Sequence, residues 1–336
     1  MVRWLIGYTS LNRSKLSFMK LLLTGVTGFI GQHLVAELKK RDTAFQLAVR
    51  SNHASHSSNK CIAVAEINHH TLWAEALTGV TDVIHLAARV HITQESSAKA
   101  YEAFRTVNTE GTLNLARQAA AAGVRRLIFL SSIKVNGEGK QTAYTEADKP
   151  SPEDAYAFSK WEAELGLWAI AEETGMQVVI LRIPLVYGPG VGANFLQLLK
   201  AVNKAWPLPL GGIHNQRSLL YVGNLVDAIV VALQHPDAAN KLYLLSDGQN
   251  VSTTQLIEIM AQSLHKSSRL LSVPQGMLRL VAGLMGKSSA VDRLFGSLFL
   301  DSSKFRKELN WIPPFSMQQG LAETAQWFLN AQANRL

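Results

Sequence analysis

A single cysteine, Cys61, in a chain of 336 residues excludes internal disulfides and any metal site built from several thiolates. It lies in the apolar run Cys61-Ile62-Ala63-Val64-Ala65 and reads as a buried strand residue in a reducing compartment, so a cytoplasmic location is expected. No apolar stretch reaches the ~20 residues needed to cross a bilayer, so no membrane span is expected. The apolar residues within 1–8 are too few and too weakly bounded for a secretory signal. Basic runs and aromatic-basic interleaving are missing too, and with them any support for nucleic-acid binding. The formal charge of +8 suits an acidic small ligand instead.

What is present is ordinary globular material, 47% hydrophobic and 17% charged, enough for one large domain or two intimately joined ones. Met19-Lys20-Leu21-Leu22 opens directly into a strand, which leaves 1–18 as an N-terminal extension. Strand-like runs recur at 20–24, 45–49, 61–67, 82–87, 126–131 and 178–182. Helix-like segments separate them, among them 29–40, 98–122 ended by Gly123, and 159–174 ended by Gly175. This alternation predicts an α/β fold with a doubly wound parallel sheet. After Pro184 the composition shifts to Pro/Gly turns, which predicts a smaller C-terminal substrate-binding region over the sheet's carboxyl edge. The expected division is 19–183 for dinucleotide binding, joined again by about 218–248, with 184–217 and 249–336 for the substrate.

Two motifs carry chemistry. Gly25, Gly28 and Gly31 follow the first strand and open the first helix, where a tight turn, close backbone approach and helix-strand packing each need a missing side chain. The helix N-terminus then faces a pyrophosphate. Tyr156 and Lys160 stand four apart in Tyr156-Ala157-Phe158-Ser159-Lys160, on one face of a helix. An ammonium beside a phenol lowers its pKa and makes it a proton-transfer group near neutral pH. With the glycine loop, the pair points to a nicotinamide-dependent oxidoreductase.

Further segments give the chain a family likeness. They are Thr24-Gly25-Val26-Thr27-Gly28-Phe29-Ile30-Gly31, His85-Leu86-Ala87-Ala88, Asn108-Thr109-Glu110-Gly111-Thr112, Leu130-Ser131-Ser132 and Leu185-Val186-Tyr187-Gly188-Pro189-Gly190. Arg217-Ser218-Leu219-Leu220-Tyr221-Val222 and Asn224-Leu225-Val226-Asp227-Ala228 come later. Over about 19–330 the chain resembles an extended short-chain dehydrogenase/reductase, a Rossmann enzyme of the nucleotide-sugar epimerase, dehydratase and ketoreductase group.

The resemblance implies Tyr156 as general acid/base and Lys160 as the residue that holds the nicotinamide ribose and depresses the tyrosine's pKa. It implies Ser132 as the hydroxyl bonded to the reacting sugar oxygen. Gly25, Gly28, Phe29, Ile30, Gly31, Ala87, Ala88 and Asn108 would contact or support the dinucleotide, Asn108 by bracing the active-site strand. Asn194, Arg217 and Arg293 would meet a UDP-sugar, since the planar fork of arginine suits phosphate. No metal ligand is implied, and a homodimer is compatible with the likeness.

Three departures narrow the chemistry. Arg50, followed by Ser51 and Asn52, stands at the end of the second strand where an NAD enzyme carries an acid. That preference points to NADP(H), with NAD(H) the alternative. Ile133 and Lys134 follow Ser132 where 4,6-dehydratases carry an Asp-Glu pair, which disfavours dehydration. Asn136 and Leu185 replace the usual tyrosine and asparagine, leaving the sugar open. The expectation is an NADPH-dependent 4-ketoreductase of a UDP-4-keto-6-deoxyhexose. The alternatives are a UDP-hexose or UDP-N-acetylhexosamine 4-epimerase with bound NAD and, against the intact Ser132, Tyr156 and Lys160, a scaffold without turnover.

Overall fold

The computed structural model describes residues 19–50, 60–64, 66–90, 97–274, 276–277 and 295–333. The extension 1–18, the neighbours Ser51 and Asn52 of Arg50, and Arg293 lie outside the described residues.

The chain opens with β1 (Lys20–Thr24), whose three leucines have no exposed surface, as a strand covered on both faces requires. It continues through α1 (Phe29–Lys40), β2 (Ala44–Arg50), β3 (Cys61–Val64) and β4 (Asp82–His85). Next come α2 (Ser97–Phe104), a π-helical turn (Arg105–Gly111), α3 (Thr112–Ala121) and β5 (Arg126–Ser132). A 3₁₀ turn (Ile133–Asn136) precedes α4 (Ala155–Thr174), β6 (Gln177–Ile183) and β7 (Leu185–Tyr187). The remainder is α5 (Ala193–Asn203), β8 (Arg217–Tyr221), α6 (Val222–Gln234), β9 (Lys241–Leu244), β10 (Asn250–Val251), α7 (Thr253–Ser263), α8 (Ser303–Glu308) and α9 (Met317–Ala333).

Seven strands form one parallel sheet in the order β3-β2-β1-β4-β5-β6-β9. The order reverses between β1 and β4, the crevice where open α/β sheets take their ligands. The doubly wound expectation therefore holds. A second sheet, β10-β8-β7, gathers the chain after Pro184. Within 218–248, β9 joins the large sheet, whereas β8 belongs to the small one.

Several segments differ from expectation: the strand expected over 82–87 ends at His85, and the helix expected from 159 starts at Ala155. The strand expected over 61–67 ends at Val64, and the chain then turns on a bond from Thr71 Oγ1 to Glu66 O. The single helix expected over 98–122 is interrupted by the π-helical turn. Cys61 is partly rather than fully buried.

Candidate functional site

Gly25 takes a left-handed conformation, φ +71°, and a Cβ there would meet Ala87 N at 2.6 Å and the Leu86 carbonyl carbon at 2.7 Å. The β1–α1 turn thus presses directly on the loop that follows β4. At Gly31 a Cβ would run into the Gly25 oxygen and the Val26 backbone. α1 starts at Gly28 with no side-chain cap and no acid in its first turn. The N–H groups of Phe29, Ile30 and Gly31 therefore lie in the helix turn suited to an anion, and the cradle fits a dinucleotide pyrophosphate.

A buried bridge fixes this crossing. His85 Nδ1 lies 2.7 Å from Thr24 Oγ1 and Nε2 lies 2.9 Å from Thr112 Oγ1, while Ala87 N donates to Thr24 Oγ1 at 3.2 Å. Burial, and then the charge of Lys160, push the His85 pKa down to about 3, so the ring is neutral. Ala87 and Ala88, both half-buried, lie in the loop against which the Gly25 turn packs.

Asn108 is fully buried in the π-helical turn. Its Oδ1 accepts from Arg89 N at 2.8 Å, and its Nδ2 donates to Arg89 O and Ser159 Oγ, both at 3.0 Å. It braces the loop after β4 against α4, and these bonds do not reach the active-site strand it was expected to support. The extra residue of a π turn aims a side chain that a regular helix would direct elsewhere, a common device at functional sites.

Ser132 ends β5 and Tyr156 stands in the first turn of α4. Ser132 is buried, its Oγ accepts from Lys134 N at 3.3 Å, and its hydroxyl also reaches the Tyr156 phenol, favouring the ionised form. Tyr156 packs edge-on to Phe104, ring centroids 5.9 Å apart. Its pKa is nonetheless pushed up to about 12, by burial first and the Asp154 carboxylate next, with Ser132 the opposing influence.

This corrects the expectation that Lys160 depresses the tyrosine. Lys160 shares the helix, but its Nζ donates to Leu130 O at 2.8 Å and sits 4.3 Å from the centre of the Phe129 ring. Helical spacing sets the face of a side chain, and its terminal donor here turns to the sheet. Burial lowers the Lys160 pKa to about 7, against the pull of Glu164.

The other candidates lie on separate elements. Arg50 is exposed at the end of β2. Asn194 is exposed in the first turn of α5, and Leu185 is half exposed on β7. Arg217 begins β8, partly buried, with Nη1 donating to Gly296 O at 3.0 Å. Burial lowers its pKa while Glu138 pulls it up. His33 Nε2 lies 2.7 Å from Pro189 O, joining the helix behind the glycine loop to the Gly188-Pro189-Gly190 turn. Among the described residues no cluster of three or more His, Cys, Asp or Glu could hold a metal ion.

Sequence reasoning missed two charged pairs beneath these groups. Arg182 and Glu164 form an ion pair in the floor, joined by Ser131 and Asn136. Lys134 Nζ meets Asp154 Oδ2 at 2.6 Å, and Asp154 Oδ1 caps α4 by accepting from Ala157 N at 2.8 Å. The Asp-x-x-Ala cap just before Tyr156 was a readable helix-start signal, whereas the partners of Glu164 and Lys134 are set by tertiary packing.

The profile of the NAD dependent epimerase/dehydratase family matches residues 21–245. The chain belongs to that family, the extended short-chain dehydrogenase/reductases. It is 46% identical over 319 residues to a UDP-glucose 4-epimerase of Vibrio cholerae, covering 93% of this chain and 96% of that one. It is 28% identical over 325 residues to an N-acetyl-alpha-D-glucosaminyl-diphospho-ditrans,octacis-undecaprenol 4-epimerase of Escherichia coli O157:H7, covering 93% and 96%. Among solved structures it resembles the dTDP-glucose 4,6-dehydratase DesIV of Streptomyces venezuelae, solved with NAD and TYD bound. The TM-score is 0.73 at 25% identity, covering 94% of this chain and 98% of that one. Among the described residues no helix is long and apolar enough to cross a membrane.

Proposed function

We propose that this chain is a 4-epimerase of a UDP-linked hexose or N-acetylhexosamine, working with NAD. The observation that carries the reading is the 46% identity, across nearly the whole of both chains, to a UDP-glucose 4-epimerase. The site supports it. Ser132 and Tyr156 bring two hydroxyls together at the sheet's carboxyl edge, and Ile133 and Lys134 stand where a dehydratase needs its acid pair. The relatives above therefore favour the epimerase over the ketoreductase expected first.

A bound nicotinamide would supply the hydride acceptor and donor for C4 of the sugar, the hydride returning to the other face in an epimerase. Tyr156, in the ionised form that the Ser132 hydroxyl favours, would accept the O4 proton in one half-reaction and give it back in the other, so protons balance over the cycle. Ser132 donates to the same oxygen, where negative charge grows in each half-reaction. The glycine cradle with Ala87 and Ala88 would hold the dinucleotide, with Lys160 as the candidate for its ribose. Asn194 and Arg217 are the candidates for the uridine and diphosphate.

A second reading, an NADPH-dependent 4-ketoreductase, is favoured by Arg50, an exposed cation where an acid would otherwise meet the ribose hydroxyls. Acid extraction of purified protein decides between them. Released NAD, together with interconversion of UDP-glucose and UDP-galactose or their N-acetyl counterparts without added cofactor, supports the epimerase. Turnover only while NADPH is consumed overturns it. A homodimer has support from Phe158 and Leu165 on α4 and Tyr101 on α2, all large and exposed.

A further inference from the structure

The two catalytic hydroxyls come from different elements, Ser132 from the end of β5 and Tyr156 from the start of α4, separated by the long connection 137–154. Their alignment depends on what joins those two ends. One side chain does so by charge. Lys134 lies in the 3₁₀ turn that Ser132 itself caps, and its backbone N–H donates to Ser132 Oγ. Its Nζ crosses to Asp154 Oδ2 at 2.6 Å and touches Glu138 Oε1 at 3.3 Å. Asp154 spends its other oxygen on the helix cap of α4, two residues before Tyr156. A backbone bond from Ser151 N to Val135 O, 2.9 Å, runs alongside.

We propose that Lys134 is a positioning residue for this active site: by gripping the capping carboxylate Asp154 it locks the Ser132 turn to the N-terminus of the Tyr156 helix. The pair also sets the charge near the phenol. The groups facing Tyr156 are Asp154 from its own helix cap, Ser132 from β5 and the uncharged ring of Phe104 from α2. Lys134 and Glu138 act on it through Asp154. Burial works against the Lys134 charge, but Asp154 and Glu138 outweigh it and raise its pKa, so the cation persists through the working pH range. An i,i+4 salt bridge to Glu138 alone would be worth little. The contact to a helix cap gives Lys134 its leverage, since a displacement of about 1 Å at a reacting group can cost ~10²-fold in rate.

The activity arm of the test rests on the reading above; a second arm does not. Lys134→Met should lower kcat about tenfold or more with KM and dinucleotide affinity nearly unchanged, and Lys134→Arg should restore most of it. The pKa of the Tyr156 phenol should move up in Lys134→Met, where Asp154 is left uncompensated. It should move down in Asp154→Asn, which keeps the cap but removes the charge. Wild-type kcat in Lys134→Met, or a phenol pKa moving the same way in both variants, overturns the proposal. The second arm is hydrogen exchange over 132–138 and 154–158, which needs no substrate. Faster exchange at both ends in Lys134→Met, reversed by arginine, supports the lock, and unchanged exchange sinks it even if no sugar nucleotide is turned over.

Discussion

Arg182 Nη2 lies 2.5 Å from Glu164 Oε2, and both side chains are almost wholly buried beneath the Ser132 strand. Arg182 Nη1 also donates to Asn136 Oδ1 at 2.8 Å, and Ser131 Oγ donates to Glu164 Oε1. Every charge in this floor has a partner, so removing one leaves another stranded. Glu164→Gln is expected to cost about 3–5 kcal/mol in a urea unfolding experiment. Replacing both, as Glu164→Leu with Arg182→Met, should recover only part of that, because Ser131 and Asn136 lose partners too. A loss under about 1 kcal/mol in Glu164→Gln would show that the pair is not integral to the floor.

The His85 bridge makes a pH prediction. Its folded pKa, about 3, lies below the model-peptide value of 6.5, so the unfolded chain binds the extra proton between those values. Stability from this group is fully present above 6.5 and is lost as pH falls toward 3. His85→Gln should weaken the protein at pH 7, by about 1–3 kcal/mol for the broken buried bonds, and flatten the decline between pH 6.5 and 4. Denaturant midpoints at several pH values measure both. An unchanged slope in the variant would mean other groups govern acid sensitivity.

Much of the molecule is legible from local pattern. The buried run at Leu21–Leu23 and the glycine spacing predict β1 and α1 because both depend on neighbours in sequence. Gly123 and Gly175 take left-handed conformations at the helix ends where they were expected. The π-helical turn is not legible, since it is set by bonds from Asn108 to Arg89 and Ser159, distant in the chain. For the same reason the Tyr156–Lys160 spacing places both on one helix but gives no hint that Leu130 O accepts the lysine's hydrogen bond. β3 ends at Val64, and the nearby bond from Thr71 to the Glu66 carbonyl joins residues five apart, which strand periodicity does not reveal.

Tyr156→Phe keeps the ring beside Phe104 and removes only the proton carrier. kcat should fall on the order of 10²-fold or more, with dinucleotide affinity nearly intact. Steady-state kinetics with calorimetric binding make the comparison. Activity within a few fold of the parent would take Tyr156 out of the chemistry.

Arg50 stands exposed where the second strand ends, beside the crevice. Arg50→Asp should move the preference between NADPH and NADH toward NADH by about tenfold or more, the worth of one charge-assisted phosphate contact exchanged for a ribose-binding acid. The ratio of dissociation constants for the two dinucleotides is the measurement. A ratio identical in parent and variant would place Arg50 outside the adenosine site.

Arg217 starts β8 in the small sheet, and its guanidinium is shared between Gly296 O and the field of Glu138. If it holds the substrate diphosphate, its loss separates the two ligands. Arg217→Ala should raise KM for the sugar nucleotide and weaken UDP binding by about tenfold or more, the worth of a charge-assisted phosphate bond. NAD binding, proposed at the β1–α1 turn, should stay unchanged. Because the diphosphate is remote from C4, part of its binding energy orients the sugar, so kcat should fall along with the rise in KM. Calorimetry with UDP and with NAD on both proteins makes the distinction. Unaltered UDP affinity in the variant would leave Arg217 as a tie between β8 and the 296–298 segment, with no part in binding.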